Sequence, residues 1–151
     1  MHWNEVTEGV IGAAINVHRE LGPGLLESAY QVCLAHELNA RGLSVERETP
    51  LPVFYKGLKL DCGYRLDLIV QGRVIVEVKC VERFDPIHVA QVVTYLKLSG
   101  RELALLINFN VPLLKHGIKR IVHGLPEPSR PQRLGGEMPS PRQPLSRPPD
   151  P

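Results

Sequence analysis

The sequence predicts an α/β domain, because segments with helical and with strand periodicity follow one another along the chain. Apolar residues recur at helical spacing in the first 41 residues, and two apolar strand patterns joined by Gln-Gly-Arg occupy residues 63–81. A further helical pattern covers residues 85–98, and the nearly continuous apolar run at 103–109 is typical of a buried central strand. The predicted order is two helices, strands, a charged hairpin, a third helix and a buried strand.

Two helices are predicted first. One runs from about Asn4 to Leu21 and ends at Gly22-Pro23-Gly24, and the other runs from about Leu25 to Arg41 and ends at Gly42. The second helix is expected to turn its apolar stripe inward: Leu26, Tyr30, Cys33, Leu34 and Leu38.

His18 and Glu27 lie on or beside the apolar stripes of these helices. An ordinary role is open for each of them. His18 suits a half-buried ring bonded to a backbone carbonyl, and Glu27 suits a carboxylate at the positive end of a helix dipole.

Short strands are predicted at Leu43–Glu48 and Leu51–Tyr55, followed by a turn at Lys56-Gly57. After the charged hairpin, Asp85-Pro86 predicts a helix start, since Asp is a good N-cap and Pro is tolerated at the first helical position. Residues 117–122 predict either an edge strand or a short helix.

Charged residues interrupt the apolar hairpin. Side chains alternate along a strand, so Glu77 and Lys79 share one face while Val76, Val78 and Cys80 point to the other. The Glu77 carboxylate and the Lys79 ammonium are therefore predicted to project from the same face of this strand.

Asp67 joins them only if the connection between the strands is odd in length. A three-residue loop at 71–73 pairs Val70 with Val74 and sets Asp67 opposite Glu77, whereas a two-residue loop would separate them. Opposed carboxylates repel unless a positive charge lies between them, and Mg²⁺ or Mn²⁺ prefers oxygen ligands. The competing interpretation is a surface strand that carries an ion pair.

The composition narrows the possible binding partners, the use of the cysteines, the cellular compartment and the domain organisation. A formal charge of +2 neither excludes nor indicates a nucleic-acid partner, and three cysteines without metal-ligand spacing argue against a disulfide framework or structural zinc. Without an apolar run of membrane-spanning length or a signal-peptide pattern, we expect a cytoplasmic protein that binds no membrane. We predict one folded domain at residues 1–124 and a disordered Pro/Arg-rich tail at 125–151.

Two motifs carry a family resemblance. Asp67 followed by Glu77-Val78-Lys79 resembles the D-(x)n-E-x-K signature of the PD-(D/E)XK nuclease superfamily, and Gly24 to Tyr30 fits GxxExxY, the name of a small bacterial family in that superfamily. The resemblance implies a restriction-endonuclease-like αβββαβ core, with a mixed central sheet flanked by helices. Leu66 stands where the superfamily's proline would be.

The resemblance also implies roles for individual residues. Asp67 and Glu77 would be metal-binding carboxylates, the Val78 carbonyl a further ligand, and Lys79 the catalytic lysine. Glu27 resembles a first-helix glutamate that approaches the metal in some members.

Three further positions are implied to support the site or the substrate. Gln91 and Tyr95 match a QxxxY motif of helicase-associated members, and His18 stands where some members carry a histidine. The implied function is a Mg²⁺- or Mn²⁺-dependent nuclease, with DNA favoured over RNA. The alternative is an inactive module of the same fold that binds nucleic acid or protein.

Overall fold

The computed structural model describes residues 2–124, so the tail predicted at 125–151 lies outside the described residues. The helices are α1 (Trp3–Leu21), α2 (Glu27–Ala40) and α3 (Pro86–Ser99). The strands are β1 (Val45–Pro50), β2 (Val53–Tyr55), β3 (Leu58–Leu60), β4 (Arg65–Val70), β5 (Val74–Lys79), β6 (Leu103–Asn108) and β7 (Ile118–Val122).

Five strands form one mixed sheet in the order β1-β4-β5-β6-β7. Only the β5–β6 pair of this sheet is parallel, because α3 connects these strands as a crossover. The predicted α/β fold, a mixed central sheet flanked by helices, is confirmed. Strands β2 and β3 form a separate two-stranded hairpin. Of the two alternatives at residues 117–122, the edge strand is observed as β7, preceded by a 3₁₀ turn at Leu114–Gly117.

Hydrophobic cores lie on both faces of the sheet. The core with α1 and α2 includes Val10, Tyr30, Leu34, Leu68, Val76 and Leu105. The core with α3 includes Ile69, Ile75, Val92, Leu96 and Leu106. Strand β6 is buried along its whole length, as predicted for a central strand. Strand β5 alternates between the two cores, so the face of Ile75 is the one that also carries Glu77 and Lys79.

The helix ends explain one wrong prediction. Leu26 was expected to point inward, but it is the N-cap of α2, has extended backbone angles and is 76% exposed. Because α2 begins one residue later than this position, Leu26 does not join the helical stripe that buries Tyr30, Leu34 and Leu38. At α3 the Asp85 N–H donates to Nδ1 of His88 at 3.0 Å, which fixes the predicted start of that helix.

The predicted register of the β4–β5 hairpin is confirmed, since Val70 pairs with Val74 across a three-residue loop. Gln71 and Gly72 in this loop both have positive φ angles, of 55° and 67°. Gln71 also holds the loop to the start of β1: its N–H donates to the Ser44 carbonyl at 2.9 Å, and its side-chain oxygen accepts the Ser44 N–H at 2.6 Å.

Candidate active site

Backbone pairing between β4 and β5 gives way to side-chain hydrogen bonds after the Leu68–Val76 pair. The Asp67 N–H donates to Oε2 of Glu77 at 3.0 Å, and the Val78 N–H donates to Oδ2 of Asp67 at 2.9 Å. Each carboxylate thus accepts a backbone N–H from the other strand. The juxtaposition of Asp67 and Glu77 that the sequence predicted is therefore observed.

Burial makes this pair costly to ionise. The Glu77 side chain is only 4% exposed, and burial first, then the neighbouring charge of Asp67, raises the pKa of Glu77 to about 8. Burial also raises the pKa of Asp67, although its hydrogen bond from Val78 opposes that rise. Two opposed carboxylates in this environment would be stabilised in their ionised form by a cation.

Lys79 supplies part of that positive charge. It lies two residues after Glu77 on the same face of β5, and its charge acts to lower the pKa of both Glu77 and Asp67. Among residues 2–124, however, no carboxylate oxygen lies within the 4.0 Å ion-pair distance of the Lys79 ammonium. The lysine therefore offsets the charge of the pair without being held by either partner.

Glu27 reaches the same end of the sheet from α2. Its Oε2 accepts the N–H of Cys80, the residue that follows β5, at 3.2 Å. Its negative charge also contributes to the raised pKa values of Asp67 and Cys80, in both cases after burial. The first residue of α2 is thus placed beside the carboxyl end of β5, although Glu27 belongs to the core face opposite Glu77.

Sequence reasoning missed Glu48, a third carboxylate near the pair. Its charge contributes to the raised pKa of both Asp67 and Glu77. Glu48 has a positive φ of 53° within β1, a conformation that is uncommon for a non-glycine residue. No motif marks this position, because Glu48 meets the pair only through the pairing of β1 with β4.

The Glu48 side chain is held by α2. Its Oε2 accepts a hydrogen bond from the Gln31 amide at 2.8 Å, and the Gln31 oxygen accepts one from Arg47 at 3.2 Å. Gln31 is itself buried, so this chain of contacts fixes the side of the site that faces β1.

Tyr95 borders the pair from α3. Burial, and then the charge of Glu77, raises the pKa of the Tyr95 phenol, and its ring lies 6.5 Å from the ring of Tyr64. Gln91 lies one helical turn before Tyr95 and is half-buried. Tyr95 thus lies on the α3 side of the carboxylates, and the roles of Gln91 and Tyr95 in the site stay predictions.

His18 takes the ordinary arrangement that the sequence left open. Its Nε2 donates to the Val111 carbonyl at 2.8 Å, and its ring lies 6.3 Å from that of Phe109. These contacts join α1 to the segment after β6. Within the described residues they include none of the site carboxylates.

A second residue with an unrecognised structural role is Asn108, the buried last residue of β6. Its side chain donates to the Val81 carbonyl at 2.8 Å and accepts the Val81 N–H at 3.0 Å. It therefore holds the backbone just after Lys79. The sequence signal was a polar residue at the end of an apolar run.

A family model of the PD-(D/E)XK nuclease superfamily matches residues 4–121 of the chain. This chain belongs to the PD-(D/E)XK nuclease superfamily. The match extends from α1 into β7 and so includes every carboxylate described above. A search of curated proteins and a search of solved structures found no match.

Members of this superfamily generally use divalent metal ions, so the fit of the donor set matters. In residues 2–124 no three His, Cys, Asp or Glu side chains are grouped closely enough to hold a metal ion. Glu27 and Glu48, like Asp67 and Glu77, also accept protein N–H groups. The donor set is thus two carboxylates, which suits Mg²⁺ because this ion often takes one or two carboxylates and completes its shell with water and phosphate.

Among the helices of residues 2–124, none is both long and apolar enough to span a bilayer.

Proposed function

We propose that this chain is a metal-dependent nuclease that hydrolyses phosphodiester bonds, with DNA as the favoured substrate over RNA and Mg²⁺ or Mn²⁺ as the cofactor. We further propose that it belongs to the GxxExxY branch of the superfamily, through the match at residues 24–30. The observation that carries the proposal is the reciprocal pair of hydrogen bonds that holds Asp67 and Glu77 together beside Lys79.

Asp67 and Glu77 would hold the metal ion, and the Val78 carbonyl is a third candidate donor. A bound divalent cation would polarise the phosphate and offset the charge that develops on it during hydrolysis. The raised pKa values of both carboxyl groups support this assignment, because loss of their protons is favoured when a cation is bound between them.

Lys79 would orient the attacking water and help to remove its proton. The water oxygen bonds to phosphorus, a phosphorus–oxygen ester bond breaks, and the leaving oxygen takes up a proton. Support for this role comes from the position of Lys79: it is close enough to influence both carboxyl groups, yet no described carboxylate holds its ammonium in an ion pair.

Glu27 would approach the metal ion, and Tyr95 would support the site and the substrate from the other face of the sheet. Glu27 approaches from α2 through its bond to Cys80, and Tyr95 approaches from α3. Gln91 and His18 would support the site or the substrate, as the family resemblance implies.

The proposal is tested by incubating the purified chain with labelled single- and double-stranded DNA and RNA, in Mg²⁺, in Mn²⁺ and in EDTA. We expect metal-dependent cleavage that falls by about 100-fold or more in Lys79→Ala, the range found for loss of a general acid or base. The matched control is Lys97→Ala, which removes an exposed lysine from the last turn of α3, at the end of the strands away from Lys79, and should cleave like the wild type.

Two results would overturn the nuclease proposal: a wild-type chain inert on all four substrates with both metals, or full activity in Lys79→Ala. Binding that survives EDTA and Glu77→Gln, in the absence of any cleavage, would identify the chain as the inactive binding module instead.

A further inference from the structure

The β2–β3 hairpin exposes large side chains that the fold does not use. Phe54 and Tyr55 are each 60% exposed and Leu58 is 59% exposed, although the hairpin is only three residue pairs long. Tyr55 and its ladder partner Leu58 share one face of the hairpin, and Phe54 lies on the other, so both faces expose apolar surface. An isolated two-stranded hairpin is marginally stable in water, and exposed apolar surface marks interaction sites. The hairpin therefore has the character of a binding element.

Lysines accompany both aromatic side chains. Lys59 is directly opposite Phe54 in the ladder and so shares its face. The ammonium of Lys56 lies 5.4 Å from the centroid of the Tyr55 ring, a cation–π distance. Residues 53–60 contain these two lysines and no Asp or Glu, so the hairpin has a local charge of opposite sign to a phosphate backbone.

The β2–β3 hairpin lies next to the end of the sheet at which β4 begins and β5 ends, which is also the end that carries the candidate active site. Its base is closed by the Leu51 N–H, which donates to the Tyr64 carbonyl at 2.9 Å. The next residue, Arg65, begins β4, and Asp67 follows two positions later. Since β4 and β5 are antiparallel, the start of β4 and the end of β5 at Lys79 lie at the same end of the sheet.

Aromatic contacts continue from the hairpin base to the carboxylates. Tyr64 is 46% exposed, and its ring lies 6.5 Å from the ring of Tyr95. Tyr95 packs in one core cluster with Leu66 and Ile75, which neighbour Asp67 and Glu77 on β4 and β5. An extended ligand that lay along the hairpin would thus contact Tyr64 and Tyr95 before it reached Asp67 and Glu77.

We propose that the β2–β3 hairpin binds single-stranded nucleic acid, DNA or RNA, and directs that strand to Asp67 and Glu77; the second half of this statement rests on the proposed nuclease function. Unpaired bases stack on exposed aromatic rings, while lysines contact the phosphates. In a duplex the base faces are already stacked on one another, so a duplex gains only the contacts to lysine. A second copy of this chain is a poorer occupant, because two hairpins packed together would bring Lys56 and Lys59 of both copies into opposition.

The test measures binding of a labelled single-stranded oligonucleotide and of its duplex by fluorescence anisotropy in EDTA, where no metal-dependent cleavage occurs. We expect the double variant Phe54→Ala/Tyr55→Ala to bind the single strand about tenfold more weakly or worse, and the duplex about as well as the wild type does. The double variant Lys56→Ala/Lys59→Ala should weaken binding of both forms and lower the salt dependence.

Matched controls separate these effects from general surface changes. Leu113→Ala truncates an apolar side chain that is 51% exposed on another surface, and Lys97→Ala removes an exposed lysine from the last turn of α3, at the end of the strands away from Lys79. Both should bind like the wild type. The hairpin variants should keep the wild-type circular dichroism and melting temperature, because the substituted side chains are exposed.

The inference is overturned if Phe54→Ala/Tyr55→Ala binds the single strand as tightly as the wild type does. It is also overturned if light scattering shows a wild-type dimer that this variant converts to a monomer, which would make the hairpin an interface between copies.

Cleavage assays distinguish this inference from the proposed function. Binding to the hairpin with no cleavage under any condition would remove the nuclease proposal and leave the binding element. Wild-type cleavage of single strands that is unchanged in Phe54→Ala/Tyr55→Ala, in both KM and kcat, would remove the binding element and leave the nuclease.

Discussion

At its turn, the β4–β5 hairpin pairs Val70 with Val74 through backbone hydrogen bonds, and both side chains are fully buried. At its open end the same two strands exchange backbone N–H groups with the carboxylates of Asp67 and Glu77. One end is stabilised by burial of apolar surface, while the other buries charge and raises pKa values. A single register therefore serves stability at the turn and provides a reactive pair at the opening.

The largest effect is expected from a charge placed at the stable end. Val76→Asp would put an unpaired carboxylate among fully buried apolar residues, and we expect a loss of more than about 4 kcal/mol in the free energy of unfolding. Circular dichroism and chemical denaturation would measure it. Val76→Ala is the control for lost volume alone, with a smaller loss of about 1 to 3 kcal/mol. A folded Val76→Asp variant with near-wild-type stability would show that the two ends do not differ in this way.

Removal of the Glu77 charge at the open end should instead increase the free energy of unfolding. Glu77 has an ordinary pKa of 4.5, and burial raises the pKa of the folded protein's carboxyl group to about 8. Below pH 4.5 it is protonated in both folded and unfolded states; between pH 4.5 and 8 only the unfolded state loses the proton, so stability falls as the pH rises. Without metal, Glu77→Gln should therefore be more stable than the wild type at pH 8 by about 2 to 4 kcal/mol.

Melting temperatures across pH 4 to 9 would check this difference, which should vanish at the acidic limit. Glu82→Gln is the matched control, because Glu82 is an exposed glutamate beyond the end of β5. A wild-type chain that equals Glu77→Gln in stability at pH 8 would contradict the assignment of a buried, costly carboxylate.

Addition of a divalent metal ion should restore the stability that the protein loses when Glu77 ionises. A metal ion that binds only the folded chain stabilises it by about 2.7 kcal/mol at a concentration near 100 times its Kd. We expect Mg²⁺ or Mn²⁺ to raise the melting temperature of the wild type, and to have little effect on Asp67→Asn, which keeps an acceptor for the Val78 N–H. Glu82→Gln should respond like the wild type, and an equal response from Asp67→Asn would place metal binding elsewhere.

The smallest effect is expected at the turn itself. A methyl group at Gly72 meets nothing within 4 Å, so the cost of Gly72→Ala comes from its φ of +67° alone. We expect a loss of about 1 kcal/mol, with cleavage retained because the loop keeps three residues. Deletion of Gly72 is the sharper companion, since a two-residue loop turns Asp67 away from Glu77 and should abolish cleavage. Cleavage by the deletion variant would show that the pair does not require this register.

Local patterns predicted most of the fold for identifiable reasons. Helix ends at Gly22 and Gly100 and the helix start at Asp85 follow from residues next to the boundary. The opposition of Asp67 and Glu77 followed from loop length and side-chain alternation, both of which can be counted along the chain. The inward placement of Leu26 failed, because the extended N-cap breaks the helical spacing from which it was inferred.

The sequence by itself determined the order of elements, the hairpin register and the two motifs that indicated the superfamily, because each depends on neighbours within a few residues. Only the tertiary structure placed Glu27 against Cys80, added Glu48 beside the carboxylates and showed His18 bonded to Val111. Those contacts join residues that are far apart in the chain. Their geometry depends on how the helices pack on the sheet, and the periodicity of a single segment does not encode it.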